Sequence, residues 1–309
     1  MKGLYFTRKE EIDQQPAHPQ MDALKLLAKQ GSLEIMHQHI LRGANVWLTP
    51  LPSHEDIEFF YICKGSLHYK KGDDVIILQT GDSFHTRGLD EDVVFDILED
   101  TDLLYVSTIP VFDANANYQS ELFNLLRQID EKDHYTLQHS VNVRNYSMQL
   151  WSALPQRHTG TYGDMVVASL FHDVGKINIP DSILKKPYRC TDDEFAVMKM
   201  HAVYSGELLS EHFPGKAVLY AKQHHERLDG SGYPGHIPGD QLCFESRVIA
   251  LADTFDAMTS KRVYQNPRSM EDAAAELCTL THLYDEELVY TLKRLVQSGM
   301  IAPTKPVQI

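Results

Sequence analysis

Thiols are scarce in this 309-residue chain. Cys63, Cys190, Cys243 and Cys278 are its four cysteines, and no two form a Cys-x-x-Cys pair. That scatter argues against a disulfide framework and predicts free thiols in a reducing compartment. Positive charge is also in the minority: 29 Lys and Arg stand against 43 Asp and Glu, for a formal net charge of -14. Extended nucleic acid is thereby excluded as a partner, because binding it draws mainly on Lys and Arg. A small anionic ligand would need local cations or metal ions against an unfavourable overall field. No apolar run approaches the roughly 18 residues of a membrane span. Residues Met1 to Gln20 are charged and polar, without the apolar core of a secretory signal. The expectation is a soluble cytoplasmic protein that makes no membrane contact. Internal repeats and low-complexity segments are missing too.

What is present in excess is histidine, at 16 residues, and imidazole is the commonest metal-ligating side chain. The length favours two domains over one, and the texture changes along the chain. Apolar residues at Met21, Leu24, Leu27 and Ala28 followed by Gly31 predict a short amphipathic helix over 20–30 with a glycine stop. From Leu33 to about Val111, short β-rich runs recur: Leu33–Leu41, Val46–Leu48, Glu58–Cys63, Ser66–Tyr69, Val75–Leu78, Val93–Leu98 and Leu103–Thr108. Turn residues separate them at Arg42-Gly43, Lys64-Gly65, Lys71-Gly72-Asp73-Asp74 and Gly81-Asp82. This spacing predicts an all-β antiparallel sandwich or barrel.

The stretch from Glu58 to Asp82 resembles a cupin barrel. His54, Glu58 and Gly65 fit the later part of that family's first motif, but Pro52 stands where its first histidine belongs. Gly81-Asp82-Ser83 resembles the turn that opens the second motif, without the Pro-x-Gly-x-x-His that should follow. Half a ligand set argues against a metal here. His54 and Glu58 are then ordinary polar residues, and the barrel (1–112) is expected to act as a sensor or regulator, binding a small ligand of its own or mediating contacts.

Beyond residues 112–118 the chain reads as helical throughout, with a linker helix over 113–132 carrying Glu121, Leu122, Leu125, Leu126 and Ile129. An all-α domain over 133–309 follows. Its helices are expected at 133–153, 162–173, from the Thr191/Glu194 capping box to about Glu211, and at 215–226, 243–259, 269–281 and 284–298. The Tyr162–Asp173 segment is apolar enough to be central. The tail Ala302–Ile309 is expected to be loose.

Chemistry gathers in this second half. Neighbouring residues on a helix point about 100° apart, so His172-Asp173 and His224-His225 each suit a site with two centres, or a helix end where the backbone opens out. A dinuclear cluster with metals roughly 3.5–4 Å apart is such a site, and Asp173 is its natural bridge. His139 lies on the stripe His139, Val143, Tyr146, Leu150, and His201 on the row Met198, His201, Ser205, Leu208. Either histidine taken alone reads as well as a core residue. Asp253 ends the apolar run Val248–Ala252, and a buried carboxylate there needs a cation. Asp256, one turn on, fits a supporting partner or an exposed residue equally. His139, His172, Asp173, His201, His224, His225 and Asp253 together offer five imidazoles and two carboxylates without thiolate, a set that suits Fe or Mn better than structural Zn.

The order of motifs resembles the HD-GYP domain, a subgroup of the HD metal-dependent phosphohydrolases. The match runs through Asp133-x-Tyr135-Thr136-x-x-His139-Ser140, His172-Asp173-Val174-Gly175-Lys176 and His201. It continues through His224-His225-Glu226-Arg227-Leu228-Asp229-Gly230-Ser231-Gly232-Tyr233-Pro234 and Ala252-Asp253-Thr254-Phe255-Asp256-Ala257-Met258-Thr259-Ser260-x-Arg262. The resemblance implies hydrolysis of the 3′-5′ phosphodiester of cyclic di-GMP to linear pGpG, with GMP as a further product, by a metal-activated bridging hydroxide at a dinuclear site. It places two divalent ions, Fe or Mn, on the seven residues above, and makes a homodimer an expectation. Lys176 would meet the leaving oxygen, or else be a surface lysine paired with an acid. Gly232, Tyr233 and Pro234 would form a loop holding Tyr233 over a guanine or a phosphate, or else a purely structural turn. Arg262 would fork onto a phosphate or be solvated, and Asp256 would join the substrate contacts.

Two positions depart from the pattern. Tyr135 stands where some members carry a carboxylate for a third metal, which favours two metals. Gln265 stands where a basic residue is usual, which raises cyclic GMP-AMP as an alternative substrate. A third reading is a low-turnover receptor for a cyclic dinucleotide that acts through protein contacts.

Overall fold

The computed structural model describes residues 13–14, 23–42, 44–51, 53–71, 74–213, 215–260 and 267–301. Pro52, Arg262, Gln265, part of the expected turn at 71–74 and the tail from Ala302 lie outside these residues. The chain divides into two compact units, Met1–Phe123 and Asn124–Ile309. No helix among the described residues is long and apolar enough to cross a membrane.

The first unit is all-β. Its strands are β1 (Asp13–Gln14), β2 (Ala23–Gln30), β3 (Leu33–Ile40), β4 (Asn45–Leu48), β5 (Ile57–Lys64), β6 (Ser66–Lys71), β7 (Asp74–Gln79), β8 (Ser83–Arg87), β9 (Val93–Ile97) and β10 (Thr101–Ser107). They pair antiparallel into one sheet of order β1-β2-β3-β10-β5-β8 and another of order β4-β9-β6-β7. Period-2 alternation decides what faces inward. Thr101, Leu103, Tyr105 and Ser107 of β10 are buried, while the residues between them are not. Cross-strand partners Tyr105, Phe60 and Phe84 stack in a row, with centroids 4.4 and 4.8 Å apart.

Three expectations need correction here. Residues 23–30 are a strand rather than a helix. Leu24 and Leu26 face the core, and a bulge between Leu26 and Ala28 resets the alternation, so the apolar spacing mimics a helical one. Gly31 begins the two-residue turn of the β2–β3 hairpin instead of stopping a helix. Strand β8 joins the expected set; its sequence, Ser-Phe-His-Thr-Arg, is too polar to signal a strand. Glu58 is no ordinary polar residue either. It is buried inside the sandwich, its carboxylate accepts from the Tyr105 hydroxyl, and burial raises its pKa. His54 is exposed.

The second unit is helical: α1 (Phe112–Lys132), α2 (His134–Ser152), α3 (Tyr162–Phe171), α4 (Asp181–Leu184), α5 (Asp192–Lys199), α6 (His201–His212), α7 (Ala217–Lys222), α8 (Phe244–Thr259), α9 (Met270–Leu277) and α10 (Glu286–Gln297). The division between the units falls inside α1. Helices α3 and α8 are central, as their apolar sequences predict. Helix α3 packs against α2, α7 and α8, and α8 also meets α9. Its Val248, Ile249, Leu251, Ala252 and Phe255 are buried on all sides.

Capping boxes start α3 (Thr161 with Asp164) and α5 (Thr191 with Glu194). The single helix expected from Thr191 to Glu211 is two. At Met200 the chain tightens, its N–H bonding Val197 O at 3.1 Å, and neither Pro nor Gly marks the break.

Candidate metal centre

The seven predicted ligands come from five places: His139 from α2, the His172-Asp173 pair from the end of α3, His201 from the start of α6, the His224-His225 pair from the turn after α7, and Asp253 from α8. Their ligand atoms form two groups. Asp173, His201, His224 and His225 make one, and His139, His172 and Asp253 the other, with the atoms of each group within 4.8 Å of one another. Asp173 connects them. Its Oδ2 lies 3.5 Å from Nε2 of both His139 and His172, while its Oδ1 lies 3.2 Å from His201 Nε2 and 3.8 Å from His224 Nε2.

Local chain geometry produces this placement. His172 caps α3 in a helical conformation, Asp173 follows at φ -102° and ψ 4°, and a 3-10 turn runs over Val174–Asn178. Tightening of the backbone between His172 and Asp173 lets both side chains face one site. Gly175 permits the turn to press onto α6: a Cβ there would lie 2.1 Å from His201 O and 2.4 Å from Ser205 N. Ser205 Oγ accepts from the Gly175 N–H at 2.9 Å.

The histidines are oriented from behind. Nδ1 of His172, His201 and His224 donates to the carbonyls of Ser169, Met198 and Ala221, at 2.9, 2.7 and 2.5 Å. Each acceptor is three residues back, in the last turns of α3, α5 and α7, where carbonyls can accept from side chains as well as from the backbone. His139 Nδ1 donates instead to Asp256 Oδ2 at 2.7 Å. With Nδ1 protonated, each Nε2 carries a lone pair pointing into the cluster, the tautomer a metal requires.

Those lone pairs face one another. Nε2 of His139 and His172 are 3.3 Å apart, and those of His201 and His224 3.4 Å. His139 Nε2 also meets Asp253 Oδ1 at 3.2 Å. Lone pair against lone pair, and lone pair against carboxylate, is repulsive unless a proton or a cation sits between. Asp173 Oδ1 is buried with no hydrogen-bond partner among the described residues. The donor set therefore fits divalent cations.

Electrostatics agree. Burial opposes the charge on Asp173, yet Lys176, His172, His139 and His201 hold its pKa well below the carboxylate range. Asp253 is held low against burial by His139, His225 and His172. Burial first, then the neighbouring imidazoles His172 and His201, pushes His224 down to about 3. His139 rises despite burial, because Asp173, Asp253 and Asp256 surround it.

The remaining predicted residues divide. Lys176 Nζ is 2.5 Å from Asp173 Oδ2, and its side chain is partly exposed beside the cluster. Tyr233 stacks on His225 at 4.6 Å between centroids, and its N–H bonds His225 O. Gly232 makes that possible: a Cβ would lie 2.4–2.5 Å from backbone atoms of Glu226, Arg227 and His225. Pro234 follows through a cis peptide bond. The Tyr135 side chain is outside the described residues.

Asp256 is corrected. It is fully buried, and its oxygens take His139 Nδ1, Asn142 Nδ2 (2.7 Å) and Ser260 Oγ (2.8 Å), so it orients a histidine rather than touching substrate. Sequence reasoning misses Asn142, although it lies three residues after His139 on the same helix. The motif by itself gives Glu226 no role. Buried, it accepts from the Gly235 and Ile237 N–H groups and ties down the loop that holds Tyr233.

A family model described as HD domain matches residues 125–288. The chain belongs to the HD domain family. Among relatives of this HD domain protein is the cyclic di-GMP phosphodiesterase response regulator RpfG of Xanthomonas campestris pv. campestris, 44% identical over 132 residues, which are 41% of this chain and 35% of that one. Another is a 3′3′-cGAMP-specific phosphodiesterase of Vibrio cholerae serotype O1, 33% identical over 208 residues, 62% of this chain and 40% of that one. The chain thus spans well under half the length of these relatives. A cupin superfamily protein of Desulfitobacterium hafniense aligns with 30% of this chain and 82% of its own at 16% identity and a TM-score of 0.25, a level that says nothing about what the β unit binds.

Proposed function

We propose that the chain is an HD-GYP phosphodiesterase that opens cyclic di-GMP to linear pGpG, with GMP as a further product. The observation that carries this reading is the convergence of five imidazoles and two carboxylates on one buried site, each backbone-bonded histidine held in the metal-ligating tautomer. The names of the relatives support the substrate class. Two divalent ions, Fe or Mn, would be held by the two ligand groups, with Asp173 in reach of both. When bound, such ions supply Lewis acidity toward phosphoryl oxygens and a hydrolytic water of lowered pKa.

The chain's own residues do the rest. Asp173 reaches both ligand groups from a buried position, so it sets their separation. Lys176, on the same turn and partly exposed, is the proton donor for the leaving 3′ oxygen. Tyr233, held on His225, closes one wall.

The test is direct. Protein reduced and metal-loaded under anaerobic conditions is incubated side by side with cyclic di-GMP and cyclic GMP-AMP, and linear products are separated by chromatography. Metal content is measured on the same sample. Linear pGpG formation at a rate above that of His172→Ala is expected. Full metal occupancy without any linear product would refute the enzyme reading, and faster turnover of cyclic GMP-AMP would reassign the substrate.

A further inference from the structure

We propose that Lys199, between Phe195 and Tyr233, is a second anchoring point for substrate: it neutralises the phosphate of the cyclic dinucleotide that is not being cut, while the Phe195 ring takes a base. This rests on the phosphodiesterase reading above and adds a subsite to it. A cyclic dinucleotide carries two phosphates and two purines. The metal cluster addresses one phosphate. The other must find a cation on a chain whose formal net charge is -14.

The described cations near the site are mostly engaged. Lys176 pairs with Asp173. Arg227 donates to the His224 and Glu226 carbonyls and lies over the Tyr284 ring. Arg247 pairs with Asp285. Lys199 differs. Its Nζ lies 4.8 Å from the Phe195 centroid and 5.4 Å from the Tyr233 centroid, and no carboxylate pairs with it among the described residues. Two ring faces attract an ammonium without accepting conventional hydrogen bonds. Its three donors therefore remain open to an anion. Phe195 and Lys199 are one turn apart on α5, so their side chains meet.

Position ties this pair to the cluster. Tyr233 stacks on His225, and His201, which opens α6, stands two residues after Lys199, so Lys199 is one ring removed from the candidate ligands. The Phe195 ring is open to solvent as well, 46% exposed. Bases stack on such platforms, whatever their identity.

The full-length, metal-loaded protein and its Lys199→Gln, Lys199→Arg and Phe195→Ala variants are assayed with cyclic di-GMP at low and high salt. Lys199→Gln should raise KM by about tenfold with kcat changed less than about threefold, as loss of one charge-assisted contact predicts. Lys199→Arg should restore most of the affinity. The salt dependence of KM should flatten in Lys199→Gln, because a cation–phosphate contact is screened while a packing role is not. Phe195→Ala should raise KM without altering the salt dependence. A Lys199→Gln KM within twofold of the parent, or a fall in kcat that arginine does not rescue, overturns the inference and leaves the enzyme reading standing. A parent protein that is fully metallated yet hydrolyses no cyclic dinucleotide overturns both.

Discussion

Replacing Asp256 by asparagine isolates a group that touches the cluster through one histidine. Oδ2 accepts from His139 Nδ1 at 2.7 Å, and Oδ1 accepts from Asn142 Nδ2 and Ser260 Oγ. Asparagine keeps the shape and the volume but turns one acceptor into a donor. If its NH2 faces His139, the ring must carry its proton on Nε2, and the lone pair aimed toward Asp253 is lost. If it faces Asn142, two donors oppose each other in a fully buried place. Losing such an outer hydrogen bond to a ligating histidine typically weakens metal binding by about 10–100-fold, or about 1.4–2.8 kcal/mol. Competitive titration with a chelator, read by metal analysis, measures this affinity. Thermal unfolding of the chelated proteins measures the part owed to stability alone. Parent-like metal affinity in Asp256→Asn would refute the reasoning. A raised KM with unchanged metal affinity would return Asp256 to the substrate contacts.

Other consequences are equally specific. Gly232→Ala puts a Cβ into the backbone of 225–227, so overpacking should cost about 1–3 kcal/mol. It should also displace Tyr233, seen as a lower melting temperature together with reduced turnover. Asp285→Ala removes the buried partner of Arg157 and Arg247 and the N-cap of α10, and should destabilise the helical unit by about 3 kcal/mol in urea unfolding. Burial raises the Asp285 pKa, but Arg157 and Arg247 outweigh it and hold it below its ordinary 3.8. Its stabilisation is therefore complete above that value and fades as pH falls through the lower folded pKa, so the parent and Asp285→Ala should converge only in acid. Deleting residues 1–112 should change kinetics or oligomeric state if the β unit regulates the helical one; a folded remainder with both unchanged would exclude regulation.

Much of this site is legible in the order of residues along the chain. Histidine and aspartate are costly to bury unpaired, so a sequence that sets them along apolar helices announces a shared counter-charge. Adjacent pairs such as His172-Asp173 announce a helix end. The β unit shows the limit of the same logic, for a bulge after Leu26 turns a strand's pattern into a helix's, and β8 carries too little hydrophobicity to declare itself.

What the linear chain determined was the ligand inventory, because the metal-binding donor atoms belong to residue types and their spacing selects the helices that carry them. What only tertiary structure decided was direction. Which nitrogen of each imidazole faces inward depends on carbonyls of Ser169, Met198 and Ala221 at helix ends, and on Asp256, which lies 117 residues from the histidine it orients. Hydrogen-bond geometry fixes a tautomer only where donor and acceptor are already in place. The same holds for Lys199, an ordinary surface lysine in the sequence, whose setting between Phe195 and Tyr233 exists only once α5 and the loop after His225 are brought together.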